Sequence, residues 1–140
     1  MVSYEVLDMI FLNLFDRLIK KKDVYYKYST EEQFTGEYWI DGKKIYCKTI
    51  SFDFPSSTSL TTLSTAHNIS NFNELIKYEA KWYDTSDTRW YFNSRYDLNT
   101  DATIKFGVTA TNFVAITSVT NWNSRTSNRY VTIFFTKTTG

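Results

Sequence analysis

A chain of 140 residues with 42% hydrophobic side chains is long enough to bury a core of its own, which excludes a disordered segment. Sixteen Lys and Arg against fifteen Asp and Glu leave a formal charge of +1, which excludes a field strong enough to recruit nucleic acid or an anionic membrane. A single cysteine, Cys47, excludes an intrachain disulfide, and a single histidine, His67, excludes a multi-histidine metal site.

The aromatic share is the unusual figure. At 19%, with 11 Tyr, 11 Phe and 4 Trp, it favours the pleated, half-buried surface of a sheet. Along the chain, residues 3–22 read as a helix. Tyr4, Leu7, Phe11, Leu14 and Leu18 recur at alternating three- and four-residue spacing and so fall on one stripe. Ser3 is the expected N-cap, and Lys20, Lys21 and Lys22 close the far end, where they complement the helix dipole. Val6, Met9, Ile10, Leu12, Phe15 and Ile19 widen the apolar surface beyond that stripe. Such a helix wants burial on more than one side: on its own domain, in a bundle of identical helices, or in a socket on a larger assembly. The spacing favours self-association or docking. Asp8, Asn13, Asp16 and Arg17 interrupt the apolar stretch and argue against a transmembrane span. Glu5 and Asp8 stand where a signal peptide would carry positive charge, so no secretory signal is expected, and the lone cysteine fits synthesis in a reducing cytosol.

Residues 23–35 are polar and tyrosine-rich and read as a connector or a first strand. Glu37 to Ile40, a turn at Asp41-Gly42, and Lys43 to Ile50 predict a hairpin, because Asp-Gly between apolar and aromatic flanks is a strong hairpin signal. Pro55 and the Ser/Thr stretch through Thr65 predict a loop, with room for a turn of helix. Glu74 to Tyr83 and Thr88 to Tyr96 predict strands joined by a turn at Asp84 to Asp87. Ala102 to Thr109 and Phe113 to Val119 predict two more, followed by a polar loop from Asn121 to Asn128. The closing strand, Tyr130 to Lys137, places Val131, Ile133 and Phe135 on one face and Thr132, Phe134 and Thr136 on the other. The expected fold is mainly β: an antiparallel β-sandwich or jelly-roll-like head, 36–140, preceded by one N-terminal α-helix, 1–22, and the 23–35 connector.

No catalytic constellation is legible. His67 sits in Ser64-Thr65-Ala66-His67-Asn68 without a nucleophile elbow and reads as a surface or loop residue, while Cys47 in a strand reads as a buried structural thiol. Asp97, Asn99 and Asp101 open like a calcium loop, but Ala102 and Val108 stand where that loop needs Gly and Glu. No metal and no cofactor are expected. Glu74, Glu79, Asp84 and Asp87 are carboxylates without a pattern that pairs them, so no enzyme is expected. Trp82, Trp90 and Trp122 lie in or beside predicted turns. Exposed aromatics stack on sugar rings or anchor interfaces, although a core role is the default for any one of them. Trp122, beside Asn121, Asn123, Ser124 and Arg125, is the best placed for exposure. Trp82, Trp90, Trp122 and Arg125 are therefore the candidate binding residues.

The string Trp39-Ile40-Asp41-Gly42-Lys43-Lys44-Ile45-Tyr46-Cys47-Lys48-Thr49 resembles the opening hairpin of a domain common in tailed-bacteriophage fibre and minor structural proteins. Asn73 to Tyr78 resembles its middle segment, and Arg129 to Thr139 its closing strand. Cys47 replaces the usual polar residue. The resemblance implies a virion component, made in the host bacterial cytoplasm, whose β-sandwich-like head is trimeric and attaches to the host or to another capsid or tail protein; with the surface aromatics, a host surface glycan is a further expected partner. It carries no catalytic motif. Trp39, Asp41, Gly42 and Tyr46 are expected to define the fold rather than to bind. In that family the domain commonly closes a long fibre protein; a single preceding helix fits a head fibre, or a capsid decoration protein without receptor binding, at least as well.

Overall fold

The computed structural model describes residues 3–22, 28–56, 59–93, 95–97, 102–117 and 122–139, with side chains of the first helix as far as Leu14. It is mainly β: two antiparallel sheets form a curled sandwich-like arrangement, with one helix at the N-terminus.

Helix α1, Tyr4–Lys22, starts as the sequence predicts, with the Ser3 carbonyl accepting from the Leu7 N–H at 3.2 Å. Every described side chain of this helix is exposed, Tyr4 at 88% and Phe11 at 68% among them. Leu18 lies outside the described side chains. The helix is not long and apolar enough to cross a membrane.

The first sheet orders β1 (Gln33–Tyr38), β2 (Lys44–Ser51), β9 (Thr126–Lys137), β4 (Phe72–Asp84) and β5 (Arg89–Phe92) from edge to edge. The second orders β3 (Thr61–Ala66), β8 (Asn112–Thr117), β7 (Ala102–Val108) and β6 (Arg95–Asp97). The β1–β2 hairpin turns through Ile40, Asp41 and Gly42, a loop one residue longer than the expected Asp-Gly turn. The Trp39 carbonyl accepts from Gly42 N–H at 2.9 Å, and the Trp39 N–H donates to Lys43 at 2.8 Å. Gly42 then takes φ +83°, the left-handed position that closes such a loop without a Cβ penalty. The Asp41 carboxylate accepts from the Lys43 N–H at 3.0 Å and fixes the bend. The strand also starts earlier than expected, at Gln33, inside the predicted connector.

Between the sheets lies an aromatic core. Phe106 and Phe113 stack with centroids 5.2 Å apart, Phe52 meets Phe113 at 5.1 Å, and Trp82 meets Phe54 at 5.6 Å. On β9 both faces are buried. Val131, Ile133 and Phe135 point into the main core, while Phe134 packs with Ile45 and Cys47 in a smaller core on the outer side, covered by Trp39 and Ile76. Trp39 thus caps the second core and Tyr46 stacks on Phe135 at 6.1 Å, fold-supporting positions for both. Burial pushes the Cys47 thiol up to about 11.

Four expectations are corrected. The Ser/Thr stretch ending at Thr65 is not all loop, since Thr61–Ala66 forms β3 along the edge of the second sheet, paired with β8. Thr88 to Tyr96 is not one strand. Asn93 takes φ +58°: its N–H still donates to the Ala80 carbonyl at 2.8 Å, but its side-chain Oδ1 is what accepts from the Ala80 N–H, at 2.8 Å. The ladder therefore ends at Phe92, and β6 joins the other sheet. The polar loop 121–128 contains the short helix α2, Trp122–Arg125, and the beginning of β9. His67 is not a surface residue: it is 1% exposed.

The His67 ring accepts from Ile69 N–H at Nδ1, at 3.1 Å, and donates from Nε2 to the Thr109 carbonyl at 3.2 Å, a pattern that only the neutral ring satisfies. Desolvation lowers its pKa, with nearby Lys48 adding to the effect; the Thr109 bond and Glu32 oppose it. A histidine with a folded-state pKa below its ordinary 6.5 stabilises the protein above that pH and loses the contribution as pH falls through the folded value. Stability therefore begins to decline just below pH 6.5, and in His67→Gln this first stage of the decline disappears. Urea unfolding at a series of pH values checks it; an unchanged slope in the variant removes His67 as the cause.

Candidate functional site

The candidate binding residues divide once they are placed. Trp82 and Trp122 are 0% and 1% exposed, so neither is a binding surface. Trp122 is buried although Asn123 and Ser124 beside it are exposed, because side-chain bonds from its neighbours tie α2 down. The Asn123 amide accepts from Phe54 N–H at 2.8 Å and donates to the Phe54 carbonyl at 2.6 Å, which clamps α2 over the end of the sandwich. Arg125 is a structural cation, with Nη2 at 3.1 Å from the buried Asp84 carboxylate and 2.6 Å from Ser86 Oγ, and its guanidinium 4.7 Å from the Trp122 ring centroid. Of the three candidate tryptophans, Trp90, 49% exposed, is the one at the surface. The carboxylates do not form a shared centre either: Asp84 is held by Ser86 and Arg125, Asp87 accepts from the Tyr91 hydroxyl, and Glu79 lies on the opposite, outer face of β4.

Trp90 borders a site that the sequence did not disclose. The outer face of the five-stranded sheet carries a groove of about 460 Å³ lined by Tyr28, Thr49, Glu79, Lys81, Phe92, Asn93, Tyr130 and Thr132. Strand register builds it. Thr49, Thr132 and Glu79 are directly opposite one another on β2, β9 and β4, and Tyr130, Lys81 and Phe92 form the next outward row on β9, β4 and β5. Neighbouring strands lie roughly 4.8 Å apart and successive outward residues roughly 6.8 Å, so two rows make a shallow trough of ligand size. Short Thr side chains make its floor, with Thr132 only 4% exposed, and Phe92 and Tyr130 rise beside it, 62% and 43% exposed. Tyr28 joins from the segment ahead of β1, held there because the next residue, Ser29, accepts from Thr49 N–H at 2.8 Å.

The polar groups are fixed in place. Thr49 and Thr132 hydroxyls share a hydrogen bond at 2.8 Å, Lys77 holds one Glu79 oxygen at 2.8 Å, and Ala80 orients the Asn93 amide. Beyond Lys81, whose Nζ sits 5.7 Å from the Trp90 ring centroid, Trp90 and Tyr83 extend the aromatic surface, their rings 5.3 Å apart. Among the described residues no three His, Cys, Asp or Glu side chains converge on a point that could hold a metal. The groove residues come from segments far apart in sequence. The one signal that pointed to them was the parity of β9, since Tyr130 shares its face with Thr132, Phe134 and Thr136. Compared with protein-family models, with curated proteins and with solved structures, the chain finds no match.

Proposed function

We propose that this protein is a bacteriophage virion structural protein, a fibre or spike whose helix assembles three copies and whose β head attaches to the host surface. The observation that carries the reading is the separation of two apolar surfaces. The head closes its core with its own two sheets, while Tyr4, Leu7, Phe11 and Leu14 stay exposed on one seam of α1. An exposed apolar seam of that spacing needs a partner helix or a socket, and identical copies supply identical seams. The resemblance of the Trp39–Thr49 hairpin, Asn73 to Tyr78 and Arg129 to Thr139 to fibre domains supports the same reading. Packing of the partly buried Trp39 of the hairpin against Ile45, Cys47 and Phe134 agrees with a fold-forming role for that string.

The same seam seated in a capsid socket would make the protein a decoration or cement protein without receptor binding. Native mass in solution by light scattering separates the two. The full chain is expected at three times its 16.5 kDa mass, and a version starting at Asp23 at a single copy with an unchanged near-ultraviolet spectrum. A full chain that stays monomeric removes the trimeric stalk and leaves the socket. Adhesion of the isolated protein to bacterial cells or their polysaccharide then decides receptor binding.

A further inference from the structure

We infer that the groove on the outer face of the five-stranded sheet binds a pyranose ring of a neutral glycan; this inference rests on the attachment reading and specifies its ligand. A pyranose presents a flat C–H face and a girdle of hydroxyls. It therefore needs an exposed aromatic face next to polar groups that both donate and accept. Phe92 and Tyr130 supply the faces, on either side of Lys81 in one cross-strand row. The adjoining row supplies the polar groups. In the Thr49–Thr132 pair one hydroxyl proton is used between them and the other remains to donate. Glu79 keeps a second oxygen beyond the one bound to Lys77, and Asn93, its Oδ1 committed to Ala80, is left with the Nδ2 donors. These groups are held before any ligand arrives, so little ordering opposes binding.

Charge and polarity narrow the choice. Glu79 and Lys81 balance within the groove, which disfavours a phosphate or nucleic acid. An apolar helix laid here would strip water from the Thr49, Thr132 and Glu79 oxygens without replacing their hydrogen bonds. The volume of about 460 Å³ falls in the range of small-molecule sites, roughly 300–1,000 Å³, rather than of protein interfaces.

The test is a titration of the ¹⁵N-labelled full-length protein with glucose, galactose, mannose, N-acetylglucosamine and oligosaccharides of each, followed by amide shifts. At least one sugar is expected to give saturable shifts confined to the amides around Thr49, Glu79–Lys81, Phe92–Asn93 and Tyr130–Thr132. Phe92→Ala and Tyr130→Ala are each expected to weaken that binding about tenfold, the scale of one lost aromatic anchor, with amides elsewhere unmoved. The inference is overturned if no member of the panel shifts these amides, if the shifts map elsewhere, or if a Ser3–Lys22 peptide occupies the groove and displaces the sugar. The attachment reading fails differently. Sugar binding at the groove without adhesion of the trimer to any polysaccharide surface removes attachment and leaves the groove, whereas adhesion unaffected by both substitutions leaves attachment and removes the groove.

Discussion

Trp82→Ala is expected to destabilise the head by about 3–5 kcal/mol, the range for emptying an aromatic site that cannot collapse. Its ring contacts Phe54, Phe106 and Tyr91 at centroid separations of 5.6, 5.6 and 5.8 Å, so its removal leaves a void between both sheets. Trp82→Phe separates volume from polarity. The Trp82 Nε1–H is buried with no hydrogen-bond partner among the described residues, and phenylalanine removes that burden along with part of the ring. Its expected loss is about 1–2 kcal/mol. Urea midpoints at equal protomer concentration measure both, since association shifts apparent stability. An alanine variant within about 0.5 kcal/mol of the parent would contradict a core role for Trp82.

The second large effect belongs to Arg125. Asp84 is fully buried, and desolvation pushes its pKa up, yet the bonds from Ser86 and Arg125 outweigh that and hold it below the ordinary carboxylate value of 3.8. Arg125→Met keeps a side-chain stem over Trp122 but takes the guanidinium's charge and hydrogen bonds from a buried carboxylate that Ser86 still contacts. The expected loss at neutral pH is about 3 kcal/mol, the low end for breaking a buried pair, because the Ser86 N–H and hydroxyl still donate. A carboxylate with a depressed folded-state pKa stabilises above pH 3.8 and loses that contribution as pH falls through the folded value. The gap between parent and variant should therefore narrow as pH drops below about 4, where a protonated Asp84 no longer needs the guanidinium. Adding Asp84→Asn to the variant should recover part of the loss. A gap that is the same at every pH would place the effect in packing on Trp122 rather than in the ion pair.

The residues that could be read in advance were those whose signals are local. The stripe of α1, the Asp41-Gly42 turn and the alternation of Tyr130 to Lys137 each lie within a few residues and survive in the structure. β3 escaped because it is an edge strand exposed over most of its length, so no alternation marks it. The break at Asn93 escaped because the chain has only 4 glycines and places asparagines as well as glycines at left-handed positions, with Asn68, Asn71, Asn93 and Asn128 among them. Trp122 and His67 were misplaced for one shared reason. Polar neighbours suggest exposure only when their partners are water, and here the partners are the Phe54 and Thr109 backbones. Beyond the parity of β9 the groove left no trace, because it depends on which residues of β2, β9, β4 and β5 stand opposite one another. Three irregularities in the β4–β9 register contribute to that, and no local pattern records them.

The position of β9 also sets an order of events during synthesis. β9 is the middle strand of the larger sheet, with β2 on one side and β4 on the other, and its pairings join Thr49 to Thr132 and Glu79 to Thr132. Until β9 has left the ribosome, the β1–β2 and β4–β5 hairpins have no common strand, and the face that carries the groove does not exist. Before β9 emerges, the strands of the larger sheet are two ribbons with bare edges and exposed aromatics, the condition under which chains associate wrongly. The larger sheet, and with it the groove, therefore waits on β9, whereas the smaller sheet can pair from strands that precede it in the chain.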